Sequence, residues 1–195
     1  ATVVASTIDN GCSAVTLFAY NADGAAIITE LRSQGFTGEI YGTDGIASVT
    51  TADSMSDDLL DGVWATNPGT EASARGALVD ALWPTDLVPQ GQFAKEAFDA
   101  FTIMAFSAFT QLATIDATTG IPGITASQAI MATGTNWDGA TGPVNFLANG
   151  DTLGQGYCVG QFSVADVGAD GEGTVSYDCS YNWGFDDGLV AITSS

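Results

Sequence analysis

Two short stretches, LFAYNADG (Leu17–Gly24) and YGTDGIAS (Tyr41–Ser48), frame the part of the sequence that decides the fold. Ala14–Tyr20 (AVTLFAY) is a short apolar run rich in strand formers, the composition of a buried parallel strand. Asp23–Gln34 places Ile27, Ile28 and Leu31 on one helical face, and Gly35 stands where a helix-ending glycine belongs. Gly38–Thr43 (GEIYGT) then reads as a second strand. Strand, helix, strand is a βαβ unit with a right-handed crossover. It sets Tyr20 and Asp44 at the carboxyl ends of neighbouring parallel strands, where open α/β sheets bind their ligands.

Working outward, Ala1–Asn10 has the look of the last turns of a helix, Thr50–Leu60 of a short helix, and Gly62–Thr66 of another strand closed by an Asn67-Pro-Gly turn. Phe93–Ile115 carries the longest helical pattern, with Phe98, Phe101, Ala105, Ala108, Phe109 and Leu112 spaced by three and four. Ile103, Met104 and Phe106 widen that stripe, which predicts a helix buried on more than one side, its aromatic residues in the core. Ser127–Ala132 is a further short helix. From Gly139 onward Gly, Asn and Asp punctuate the strand-like runs Val144–Leu147, Tyr157–Val164 and Gly173–Cys179, which predicts hairpins. The class is α/β.

Charge narrows the function. Among 195 residues, Arg32, Arg75 and Lys95 are the only basic ones against 23 acids, a formal charge of −20. Neutralising phosphates requires Lys and Arg, so nucleic-acid partners are excluded, and anionic membranes are disfavoured for the same reason. The acids are dispersed and read as a solvated surface, suited to a saline or extracellular setting. No apolar run reaches the roughly 20 residues that span a bilayer. The chain starts at Ala1 with no leader-like segment, so any signal peptide has been removed or lies upstream.

There is no histidine and no CxxC, which argues against zinc, and no cofactor is expected. Cys158 and Cys179 lie in strand-like runs either side of a Gly- and Asp-rich turn and are read as a disulfide across that hairpin, which implies an oxidising compartment. Cys12 is left over, its partner on another chain or on a part of this one that is absent. Asp166, Asp170, Glu172 and Asp178 miss the spacing of a calcium loop and read as a solvated hairpin. Catalysis is not expected. A His-based triad is impossible, neither a nucleophile elbow nor a P-loop is present, and the pairs Asp57/Asp58 and Asp186/Asp187 are adjacent in sequence, with nothing to place them across a cleft.

The quoted stretch LFAYNADGAAIITELRSQGF-TGEIYGTDGIAS resembles the second half of the type I periplasmic solute-binding proteins, the branched-chain amino-acid (Leu/Ile/Val) receptor group of ABC transporters. In that family a strand ends in Tyr or a nearby aromatic, a helix follows, and the next strand runs into G-(T/P)-(D/E)-G. GATGPVNFLANGDTLGQGYCVGQFS (139–163) is similar to the family's later hairpin, and Phe98-Asp-Ala100 to its YDA helix start. These landmarks stand in family order over residues 14–165.

The resemblance implies two α/β lobes that clamp a ligand between them. Residues 1–61 then belong to lobe two, 62–141 to lobe one with the long helix, and 142–195 return to lobe two. It implies no enzyme activity, a small ligand such as an amino acid or amide, an ABC permease as partner, and a periplasmic or extracellular site. A complete receptor is about twice as long, so the resemblance implies a missing amino-terminal half, which could hold the partner of Cys12.

Asp44 matches the acid that pairs with a ligand's ammonium, and Gly42 and Gly45 permit close approach. Asp44 also reads as an ordinary turn acid. Tyr20 matches the strand-end aromatic, ring over ligand and hydroxyl on a polar group, or is a core tyrosine. Trp64 lines the cleft or packs the hinge. Two other functions fit the same residues: a sensory ectodomain, and an acidic surface or filament protein that reuses the fold without a ligand.

Overall fold

A computed structural model describes residues 2–69, 72–84, 93–152, 156–184 and 188–192. The chain divides into two units, residues 1–68 with 156–195, and residues 69–155. The sequence boundaries fell at 61/62 and 141/142. The later positions follow from strand pairing, because the strand Trp64–Pro68 is held in the first unit's sheet and Gly142–Val144 pairs within the second.

The first unit is a six-stranded mixed sheet. Its strands are β1 (Ala14–Leu17), β2 (Glu39–Gly42), β3 (Trp64–Pro68), β6 (Tyr157–Ala165), β7 (Thr174–Gly184) and β8 (Gly188–Ala191), side by side in that order. β1, β2 and β3 are parallel, with Leu17 opposite Gly42 and Gly42 opposite Ala65. The remaining pairings are antiparallel. Helix α2 (Asn21–Ser33) makes the crossover from β1 to β2, and Gly35 at φ +84° follows its carboxyl end.

Alternation along the strands sends Val15, Leu17, Ile40, Val63, Ala65 and Phe162 to one face, where Ile28 and Leu31 of α2 meet them in a single core. Val4, on the amino-terminal helix α1 (Thr2–Asp9), joins the same core. The other face carries Thr16, Tyr41, Trp64 and Gln161 in one row across four strands. The segment read as one short helix at 50–60 is instead a series of 3-10 turns, Val49–Ser54 and Asp57–Leu60, after a first at Asp44–Ile46. Ser, Thr and Asp side chains that compete for backbone partners favour such short turns over a continuous helix.

β6 and β7 form the long hairpin predicted from Gly139 onward, and Cys158 and Cys179 are joined across it, their Cα atoms 5.6 Å apart. Val159 faces Tyr181 while Gly160 faces Cys179, so Ser180 is an extra residue on β7 and the disulfide closes over the bulge. Cys12 is a free, exposed thiol.

The second unit holds α3 (Ala74–Leu82), α4 (Ala94–Ala113), α5 (Ala126–Thr133) and a small antiparallel pair, β4 (Trp137–Gly139) with β5 (Gly142–Val144). Asp99 of α4 clasps that pair. Its buried carboxylate accepts from the Ala140 amide at 2.6 Å, the Thr141 amide at 2.9 Å and the Thr141 hydroxyl at 2.8 Å. A buried charge is tolerable on such terms. Trp137 packs against the Phe106 ring, 5.4 Å away, and the Arg75 guanidinium lies 4.5 Å from its ring centre. α4 departs from expectation in its core. Its buried residues are Asp99, Ile103 and Ser107, whereas Phe101 is 67% and Phe109 68% exposed. The aromatic stripe is therefore outside, because α5 and the β4–β5 pair occupy the opposite side of the helix.

Candidate functional site

The carboxyl ends of β1 and β2 turn into two adjacent corners. The Thr43 amide bonds the Leu17 carbonyl at 3.2 Å, extending the parallel pairing one residue beyond the strands. β1 stops at Leu17, earlier than the sequence pattern suggested, and Phe18, Ala19 and Tyr20 form the bend into α2. Tyr20 precedes the first helical residue with extended backbone, φ −91° and ψ 167°, and its carbonyl accepts the Gly24 amide at 2.7 Å. Its ring is 80% exposed, so Tyr20 is not a core tyrosine.

Asp44 opens the 3-10 turn after β2 and is exposed. Gly45 follows it, and a Cβ there would overlap the carbonyl of Ala19. Without a side chain at 45 the Asp44 turn can lie directly against the Ala19–Tyr20 bend. Ile46 anchors the turn from beneath, fully buried in a slot left by Gly24 and Gly42, where any Cβ would collide with it. Tyr20, Asp44 and Gly45 thus come together at one corner of the sheet.

The sequence reading did not single out the residues that brace this corner. Asn21 donates from its side-chain amide to the Thr50 hydroxyl at 2.9 Å, and the Thr50 and Ser48 hydroxyls are 2.9 Å apart. Ser48 also accepts the Thr50 amide, and the buried Thr51 hydroxyl donates to the Ile46 carbonyl at 3.0 Å. These contacts tie the start of α2 to the turns after β2. The available signal was an Asn opening a helix and a Ser-x-Thr two residues past a strand-end loop; neither declares its partner. Phe18, 84% exposed beside the same bend, was also unremarked.

Trp64 is not at this corner. It begins β3 opposite Tyr41 on the sheet face away from the core, half-buried, its ring 6.2 Å from that of Tyr181. On the core side of the same strands, Tyr177 donates its hydroxyl to the Ala65 carbonyl at 2.9 Å, and burial pushes its pKa up to about 12, partly offset by the Gly160 amide. The corner offers a carboxylate, a phenol and hydroxyl-rich turns. That set suits binding a small polar molecule by charge-assisted and neutral hydrogen bonds. Among the described residues, no helix is long and apolar enough to cross a membrane.

No protein-family model and no curated protein matches the sequence. Solved structures do match. The leucine-binding protein LivK of Thermotoga maritima superposes with a TM-score of 0.67 at 16% identity, over 91% of this chain and 47% of that one. LivJ of Streptococcus pneumoniae, a branched-chain amino-acid transporter substrate-binding protein solved with isoleucine, gives 0.63 at 16% identity, over 91% and 48%. A type 1 periplasmic binding protein of Bordetella pertussis gives 0.63 at 12% identity, over 90% and 48%. These neighbours are binding proteins rather than enzymes, and the chain spans about half their length. The chain has the α/β fold of a type I periplasmic binding protein over about half of that fold.

Proposed function

We propose that these residues are the carboxyl-terminal half of an extracytoplasmic solute-binding protein, which captures an amino acid or similar small polar ligand between two lobes for an ABC importer. The observation that carries this reading is the corner at which Tyr20, Asp44 and Gly45 meet, at the carboxyl ends of two parallel strands, within a fold shared with leucine- and isoleucine-binding proteins. In this reading Asp44 accepts the ligand's ammonium, Tyr20 covers it, and Trp64 contributes from the sheet face beyond. The first unit corresponds to lobe two and the second to part of lobe one, and ligand capture closes one on the other by hinge motion. The Cys158–Cys179 disulfide supports an oxidising, extracytoplasmic compartment, and the net charge of −20 supports a saline one.

Titration calorimetry on the polypeptide extended upstream of Ala1, with leucine, isoleucine, valine and small amides as probes, tests the reading. One of these binds, and Asp44→Asn weakens it at least about tenfold, the worth of a hydrogen bond to a charged group. Affinity unchanged in Asp44→Asn removes Asp44 from the site. No binding by any probe removes the amino-acid reading.

A further inference from the structure

The two halves of the Cys158–Cys179 disulfide stand in different surroundings. Cys158 lies on the core side of β6 and is 4% exposed, whereas Cys179 on β7 is exposed. Tyr177 walls the inner sulfur. A Cβ at Gly160 would meet the Tyr177 ring, so the missing side chain lets that ring lie against β6. There its hydroxyl comes 3.7 Å from the Cys158 sulfur. Phe162 continues the wall, fully buried and 5.1 Å from the Tyr177 ring.

Thiol–disulfide exchange depends on which sulfur a thiolate can reach, and the thiolate enters in line with the S–S bond, opposite the leaving sulfur. Entry at Cys158 would have to come from the core. Entry at Cys179 comes from water and drives the electron pair inward onto Cys158. The released sulfur finds a hydrogen-bond partner in place, because the Tyr177 hydroxyl can turn to it from the Ala65 carbonyl.

Charge then selects the thiol. Residues 156–195 contain six acids and neither Lys nor Arg, and Asp178 is exposed next to Cys179. Arg32, the only basic residue of the first unit, is bonded to the Phe36 and Gly38 carbonyls. A thiol that carries further negative groups is repelled from this hairpin, and one that carries an ammonium is drawn to it.

We propose that Cys179 is a covalent modification site for small aminothiols. The aminothiol gives its proton to water and its sulfur bonds to Sγ of Cys179. The Sγ–Sγ bond breaks, its electron pair leaves on Cys158, and Cys158 takes up a proton from water. One disulfide replaces another, with no net oxidation or reduction. The exchange is independent of whatever the corner at Asp44 binds.

The test uses the chain with Cys12→Ser, in which the disulfide holds the only cysteines. It is mixed at low salt with cysteamine or, at equal thiolate concentration, with glutathione. Each rate is divided by that of the same thiol with an uncharged model disulfide. Early acid quench, alkylation of free thiols with a maleimide and peptide mass spectrometry then locate both groups. Cysteamine should be found on Cys179 and the maleimide on Cys158, at least about tenfold over the reverse arrangement. The normalised rate should be at least about tenfold higher for cysteamine than for glutathione, and molar sodium chloride should close most of that gap. Cysteamine on Cys158, or shared evenly between the two, overturns the site. Equal normalised rates overturn the choice of aminothiols. Modification that rises with urea in proportion to the unfolded fraction shows that only the unfolded chain exchanges, which overturns the proposal outright.

Discussion

At Gly45 one hydrogen atom decides whether the turn after β2 can lie against the bend after β1. A Cβ at that position meets the Ala19 carbonyl, which is backbone and cannot rotate away. Gly45→Ala should therefore cost about 1–3 kcal/mol, the usual penalty for overpacking, measured as a lower urea midpoint. Gly184→Ala, with nothing within 4 Å of its added Cβ, should stay within about 0.5 kcal/mol of the parent. On the function proposed above, Gly45→Ala should also weaken ligand binding, since the bends carrying Asp44 and Tyr20 would be pushed apart. Equal stability of the two variants would show that the two bends do not depend on this contact. At this scale the sequence placed Asp44 and Gly45 in the turn after β2, where they lie, and left open whether Asp44 contacts a ligand or is an ordinary turn acid. The bracing by Asn21, Ser48 and Thr50 was not legible, because which hydroxyl an amide reaches across 29 residues is fixed by the turns between, not by the residues themselves.

Among the elements, the β6–β7 hairpin holds the best-defined chemistry. Tyr177 is neutral, bonded to Ala65 and packed 5.1 Å from the Phe162 ring. Its folded pKa, raised from 10.0 to about 12, means the folded state keeps the proton longer than the unfolded chain does. The stabilisation is complete below the unfolded value and is lost as pH rises through the folded one. Stability should hold to about pH 10 and then fall toward about pH 12. Tyr177→Phe should remove much of that slope, and phenolate absorbance against pH reads the same event directly.

The disulfide spans 21 residues, and opening it with reductant should lower stability by about 3 kcal/mol in the chain-entropy account. An unchanged urea midpoint under reductant would refute that. The βαβ unit, the long helix and the hairpin were readable because hydrophobic period and turn residues agree there. α3 was not recognised, since ARGALVDAL has a weak pattern, and β4 and β5 are too short for any period to register. The aromatic stripe of α4 was recognised as apolar and assigned to a core the described residues do not contain. Periodicity reports that a side wants cover and is silent on who provides it.

For the molecule as a whole, electrostatics dominates. The carboxylates repel one another across the surface, so the melting temperature should rise as sodium chloride is increased from low to molar concentration and the Debye length falls from roughly 30 to 3 Å. A melting temperature independent of salt would show that the acids are too dispersed to matter.

All three cations are already engaged. The Arg32 guanidinium bonds the Phe36 and Gly38 carbonyls at 2.9 and 3.1 Å, Arg75 lies over Trp137, and Lys95 bonds Asp80 at 2.9 Å. Counter-charge must therefore come from the medium, and the molecule carries an atmosphere of mobile cations. On the proposed function, a ligand bearing an ammonium would enter that atmosphere as one more cation and exchange with those already there. Dilute water would then hasten its arrival while brine steadies the fold, so the same twenty charges set two salt dependences of opposite sign.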